Sequence, residues 1–127
     1  MPTASILVVE DDQEIRDFLA LVLEGEGYAV RTAPNGAVAL QLIHQQAPDL
    51  ILLDMRMPVM DGWTFVRAYR SQPGPHAPIV VQTAARDAQQ TAREVQADGH
   101  LGKPFDLDDL LAVVRDALGS SAGEDED

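Results

Sequence analysis

Polar side chains capable of phosphoryl chemistry stand at the ends of apolar runs in this chain. Glu10, Asp11 and Asp12 follow Ile6-Leu7-Val8-Val9, and Asp54 follows Leu50-Ile51-Leu52-Leu53. Thr83 follows Ile79-Val80-Val81 after Gln82, and Lys103 follows the short run His100-Leu101-Gly102. Carboxylates gathered in one shallow pocket repel each other and need a cation to stay ionised together. An all-oxygen ligand set suits Mg²⁺, which keeps several waters and takes only one or two carboxylates directly. A lysine adds a fixed positive charge and a threonine adds a hydroxyl donor. Nucleophilic carboxylate, metal, cationic clamp and hydroxyl together can accept a phosphoryl group. Each residue alone says little. A strand-end Asp11 or Asp12 also suits a helix N-cap, Thr83 suits a plain loop, and Lys103 suits an ordinary surface. Their order and joint placement carry the inference.

Those groups converge only if the apolar runs are neighbouring strands. Continuous apolar runs of this length fit strands buried on both faces. Tyr28 to Ala33 is a less apolar strand, nearer an edge. Helix-period segments alternate with the runs. Ile15, Phe18, Leu19 and Val22 mark one face, ended by Gly25 and Gly27. Gly36 to Gln46 turns Leu40 and Ile43 inward and stops at Pro48. A third helix starts near Asp61 with Phe65, Val66 and Tyr69 inward, and Trp63 on it reads as packing. The last carries Leu107, Leu110, Leu111, Val114 and Leu118, with Asp106 as N-cap and Phe105 and Leu110 as a hydrophobic staple. Asp87 to Gln96 offers only Ala88, Ala92 and Val95, so its helix is expected to be loosely held, and 86–96 the most mobile ordered part. Alternation predicts α/β architecture: a flavodoxin-like, doubly wound, five-stranded parallel sheet in order 2-1-3-4-5 with five helices. At its topological switch point the acids after Val9 meet the acid after Leu53.

Bulk properties narrow the function. The chain has 127 residues, enough for one domain, expected over 1–119, followed by an acidic, flexible tail over 120–127. A net charge of −12 disfavours direct nucleic-acid binding. With no cysteine there is no disulfide or thiol chemistry. The N-terminus does not read as a signal peptide and no run is long enough to span a membrane, so a soluble, cytoplasmic protein without a membrane partner is expected. His44, His76 and His100 lie too far apart to suggest a metal site.

The stretches Ile6-Leu7-Val8-Val9-Glu10-Asp11-Asp12, Leu52-Leu53-Asp54-Met55-Arg56-Met57-Pro58-Val59-Met60-Asp61-Gly62, Thr83-Ala84 and Leu101-Gly102-Lys103-Pro104-Phe105 resemble the response-regulator receiver domain of two-component signalling. The resemblance runs from about Ser5 to Gly119 and implies specific roles. Asp54 would be the phosphoacceptor, supplied by a histidine kinase or a histidine phosphotransfer protein. Asp11, Asp54 and the Arg56 backbone carbonyl would ligate Mg²⁺, with Glu10 acting through water and Asp12 just outside. Thr83 would contact the phosphoryl oxygen and act as a switch, and Lys103 would pair with the phosphoryl charge. The Lys103–Pro104 bond would be cis. The domain would catalyse only its own phosphorylation and dephosphorylation, and would signal through protein contacts or phosphorelay to a downstream protein the sequence does not name. With one domain's length, it would stand alone.

Three features depart from the family pattern. His100 replaces the usual aromatic three residues before the lysine, making it a second switch position and a possible source of pH-sensitive output. The stretch from Thr83 to Lys103 is short, at the fourth helix. Arg56 places a basic side chain beside the acceptor, either as a solvated rim group or paired with an acid or phosphate. Two other functions compete. A haloacid-dehalogenase-type phosphatase also uses a strand-end Asp but wants a second Asp two residues later, where this chain has Arg56. A phosphorylation-independent adaptor would keep the fold without needing the acids, Thr83 and Lys103 together.

Overall fold

The computed structural model describes residues 3–126, with side chains through Gly119; the tail expected over 120–127 falls outside the residues described with their side chains. The elements are β1 (Ser5–Val9), α1 (Gln13–Gly25), β2 (Ala29–Ala33), α2 (Gly36–Gln45), β3 (Leu50–Asp54), α3 (Gly62–Ser71), β4 (Ile79–Ala84), a 3₁₀ turn (Ala85–Asp87), α4 (Ala88–Val95), β5 (Gly99–Lys103) and α5 (Leu107–Glu126). The five strands form one parallel sheet in the order β2-β1-β3-β4-β5, as the alternation predicted.

The apolar runs place β1, β3 and β4 in the middle of the sheet, where helices cover both faces. Leu7, Val9, Ile51, Leu53, Ile79 and Val81 face one core with Ala39, Phe65, Tyr69, Ala92 and Val95 of α2, α3 and α4. Ile6, Val8, Leu50, Leu52, Val80 and Leu101 face the other with Leu19 and Leu23 of α1 and Leu110 and Val114 of α5. Neighbouring residues of one strand therefore address opposite cores.

The helix starts are fixed by side chains. Asp12, Asn35, Asp61 and Asp106 accept hydrogen bonds from the backbone N–H groups of Ile15, Val38, Thr64 and Asp109 at 2.8–3.0 Å. Phe105 packs on the cluster that contains Leu110, consistent with the staple.

Three apolar assignments need correction. Ile15 and Phe18 were expected in the core, but Phe18 is 54% exposed and Ile15 is also exposed. Leu107 is exposed too. The reason is position. In a parallel α/β unit a helix begins beside the end of its strand, so the first turns of α1 and α5 overhang the sheet edge and have no strand beneath them. The buried stripe of α1 starts a turn later, at Leu19.

α4 is attached differently from the other helices. Its buried side chains are small (Ala88, Thr91, Ala92, Val95), as the sequence suggested, but polar ties from α3 supplement them. The Arg70 guanidinium donates to the carbonyls of Val95 and Gln96. Trp63 Nε1 donates to Glu94 Oε1 at 3.2 Å, so Trp63 is more than packing. Gln96 closes the helix in the left-handed conformation at φ 54°.

Candidate phosphoacceptor site

The site lies at the carboxyl ends of β1, β3, β4 and β5. Glu10 (1% exposed) and Asp54 (3%) are buried, and Asp11 is exposed. One carboxylate oxygen from each lies within 4.8 Å of the others, the convergence the strand order demands. Asp12 points away and caps α1, so the N-cap reading holds for Asp12. The β1–α1 loop is held by Arg16, whose guanidinium donates to the carbonyls of Glu10 (2.9 Å) and Asp11 (3.4 Å). Sequence reasoning missed Arg16. Its one signal was a basic residue in the helix turn directly after three acids.

Lys103 reaches the acids from β5, with Nζ 3.2 Å from Asp54 Oδ1 and 3.8 Å from Glu10 Oε1. The backbone N–H of Arg56 also donates to Asp54 Oδ1, at 3.3 Å. The Lys103–Pro104 bond is cis. Burial pushes the Glu10 carboxyl up to about 7, with the Asp54 charge adding to the shift and Lys103 opposing it. Burial also raises Asp54, against the pull of Lys103. Both shifts show carboxylates that lack sufficient positive charge to stay ionised together. Three clustered oxygen ligands, two of them destabilised as anions, fit a hard divalent cation such as Mg²⁺.

Among the described residues, the buried side-chain atoms without a hydrogen-bond partner are Glu10 Oε1, Thr83 Oγ1 and both amide atoms of Gln82. Three of these four atoms belong to adjacent residues at the end of β4. Thr83 is 3% exposed and offers an unused hydroxyl one residue beyond Gln82, the register partner of Asp54. Gln82 was passed over in the sequence, where it reads only as one polar residue inside an apolar run.

Arg56 is exposed, and its guanidinium lies over the Trp63 ring at 5.9 Å from the centroid. It stacks rather than pairing with an acid. His100 is exposed on the edge strand β5 and borders a shallow cavity of about 370 Å³ with Asp109 and Asp116 of α5.

Comparison with known proteins agrees with this geometry. The family model for the response regulator receiver domain matches residues 6–115. Response regulator MprA of Mycobacterium avium is 39% identical over 123 residues, which cover 95% of this chain and 54% of that protein. The chain thus spans about half the length of the curated relatives it matches. Chemotaxis protein CheY4 of Vibrio cholerae superposes with a TM-score of 0.82 at 34% identity, covering 91% of this chain and 99% of that one. The receiver domain of sensor histidine kinase PA1611 from Pseudomonas aeruginosa gives a TM-score of 0.80 at 32% identity, covering 93% and 99%; that structure holds a magnesium ion in its active-site cleft. The chain belongs to the response regulator receiver domain family, and is a signalling domain of two-component systems.

Proposed function

We propose that this domain accepts a phosphoryl group on Asp54 and transmits its presence through Thr83 and the α4 side of the sheet. One observation carries the reading: a buried carboxylate, a lysine 3.2 Å away and an unpartnered threonine hydroxyl stand at neighbouring strand ends. An Asp54 oxygen attacks phosphorus, the bond from phosphorus to a donor histidine nitrogen breaks, and its electron pair stays on the imidazole, which takes up a proton. Lys103 then faces the new dianion instead of a carboxylate. Thr83 Oγ1 supplies a hydrogen bond to a phosphoryl oxygen. Asp11, Asp54 and the Arg56 carbonyl would ligate Mg²⁺, with Glu10 acting through water, and the ion would neutralise charge on the transferring group. His100 stands on β5 two residues before Gly102, the register partner of Thr83, and would be the second switch position.

The donor is a histidine kinase or a histidine phosphotransfer protein, and the readout is a protein contact or a further phosphoryl transfer. We assign the domain to the cytoplasm, where such donors work; no helix among the described residues is long and apolar enough to cross a membrane. A haloacid-dehalogenase mechanism is disfavoured because the residue two beyond Asp54 is a stacked arginine, not an acid.

Incubation with acetyl phosphate and Mg²⁺ tests the reading. Mass spectrometry should show one added phosphoryl group, absent from Asp54→Asn and from chelator-treated protein. Label persisting in Asp54→Asn, or located on serine or threonine, would remove Asp54 from the mechanism. No label at all would favour an adaptor that uses the fold alone.

A further inference from the structure

Arg56 enters the phosphoacceptor chemistry through its backbone alone. Its N–H donates to Asp54 Oδ1 at 3.3 Å, and its carbonyl is a proposed ligand of Mg²⁺. Its side chain has no part in that chemistry, yet it is held. The guanidinium lies over the Trp63 ring at 5.9 Å from the centroid. It makes no ion pair, since among the described residues the ion pairs are those of Lys103. Trp63, the one tryptophan of the chain, donates in turn from Nε1 to Glu94 Oε1 at 3.2 Å. Glu94 Oε2 accepts from Gln90 Nε2 at 3.4 Å, one turn back along α4.

These contacts cross a gap. Arg56 and Trp63 stand on one side, and Gln90 and Glu94 on the other, of a cleft of about 400 Å³ between the β3–α3 junction and α4. The second tie from α3 to α4 is made by Arg70, in the last turn of α3 and away from the site. The path from Asp54 through Arg56 and Trp63 to Glu94 therefore links the acceptor to α4 without Thr83. A peptide whose side chain is stacked has fewer orientations open to it than one whose side chain is solvated. What holds the ring thus restricts the direction of the Arg56 carbonyl, and Mg²⁺ is demanding about ligand direction.

We propose that Trp63 is a positioning residue for Mg²⁺ binding, and that its bond to Glu94 couples the metal site to α4. The inference rests on the Mg²⁺ site proposed above. Trp63 touches neither the metal nor the phosphoryl group; it acts through Arg56. The coupling is reciprocal: a hold of α4 on the ring that favours the metal is favoured by the metal to the same factor. The link is no stronger than its stack, an exposed cation–π contact worth about two- to fivefold in an equilibrium constant.

Mg²⁺ titrated into the ¹⁵N-labelled full chain and followed by NMR tests this without phosphoryl transfer. The single indole N–H should shift saturably, with the same Kd that the backbone amides of Asp11 and Asp54 report. Glu94→Ala and Trp63→Phe should each weaken Mg²⁺ binding by about two- to fivefold. The double variant should be no weaker than Trp63→Phe alone, because the two residues make one bond. Glu94→Gln, which loses the charge but keeps an acceptor oxygen, should restore the parent's affinity. Glu94 is exposed, so its variants leave the core untouched. An indole that stays still while Asp11 and Asp54 shift would overturn the coupling and leave the metal site standing. Undiminished affinity in Glu94→Ala would do the same, and equal weakening by Gln and Ala would reduce the effect to charge at a distance. Silence at Asp11 and Asp54 as well would remove the metal site, and the coupling with it.

Discussion

Protonation of Glu10 should make the metal-free domain lose stability as pH rises from 5 to 7.5. The folded carboxyl holds its proton to about pH 7, against an ordinary value of 4.5, mainly because it is buried. Between those values the folded state binds more protons than the unfolded chain, so raising the pH favours unfolding. The stabilisation is fully present below about pH 4.5 and is lost as pH rises through 7. A shift of this size corresponds to about 3 kcal/mol in full, of which about 2 kcal/mol falls between pH 5 and 7.5. For a domain of this length that is a fall in Tm of roughly 5–10 °C. Asp54 is raised by the same cause and adds in the same direction. The assay is thermal unfolding in chelator across this range, parent against Glu10→Gln. The variant has no carboxyl to ionise there, so the difference between the two curves isolates Glu10 from the histidines. Saturating Mg²⁺ should flatten or reverse the parent's slope, because a cation binds the ionised form. Parallel curves for parent and variant in chelator would refute the reasoning.

Thr83→Val should raise the stability of the unphosphorylated domain by about 1 kcal/mol, because it replaces a buried unpartnered hydroxyl with a methyl; chemical denaturation reads this, and a loss of stability would mean the hydroxyl is bonded after all. Gly62→Ala should destabilise by about 1–3 kcal/mol, since the added Cβ would meet the Met55 Cα at 2.7 Å and its Sδ at 2.5 Å; an unchanged Tm would show that the β3–α3 loop can shift. Arg70→Ala should speed hydrogen exchange in α4 about tenfold or more while leaving β1 and β3 protected, and uniform acceleration across the domain would argue against a local tie.

Much of this architecture was legible because burial leaves a pattern. Leu50 to Leu53 are apolar without interruption because β3 has a core on each side, and the acids and Lys103 stand out because they end such runs. Asp12 and Asp106 were legible as caps from the helical segments that follow them. What escaped depends on where an element lies relative to its neighbours. Ile15 and Phe18 have the spacing of core residues, but spacing does not show that a helix overhangs the sheet. Arg16, Arg70 and Trp63 act on backbone or side-chain groups of loops and other helices, and no periodicity marks such bonds. Gln82 looked like a minor break in a strand, and only its zero exposure and unpaired amide give it weight.

The uneven attachment of α4 gives it the mechanics of a lever. Its fulcrum is the C-terminal end, where Arg70 grips two carbonyls and the chain reverses through Gln96 before entering β5. Its free end follows the 3₁₀ turn after Thr83, and Asp87 there makes no side-chain cap. Eight residues give an arm of about 12 Å. If phosphorylation draws on Thr83 as proposed, the pull would reach the helix at its less polar-tied end and would swing it about the end that Arg70 holds. Under that pull the exposed face of α4 would tilt as a unit, while the edge strand beyond the fulcrum would keep its register.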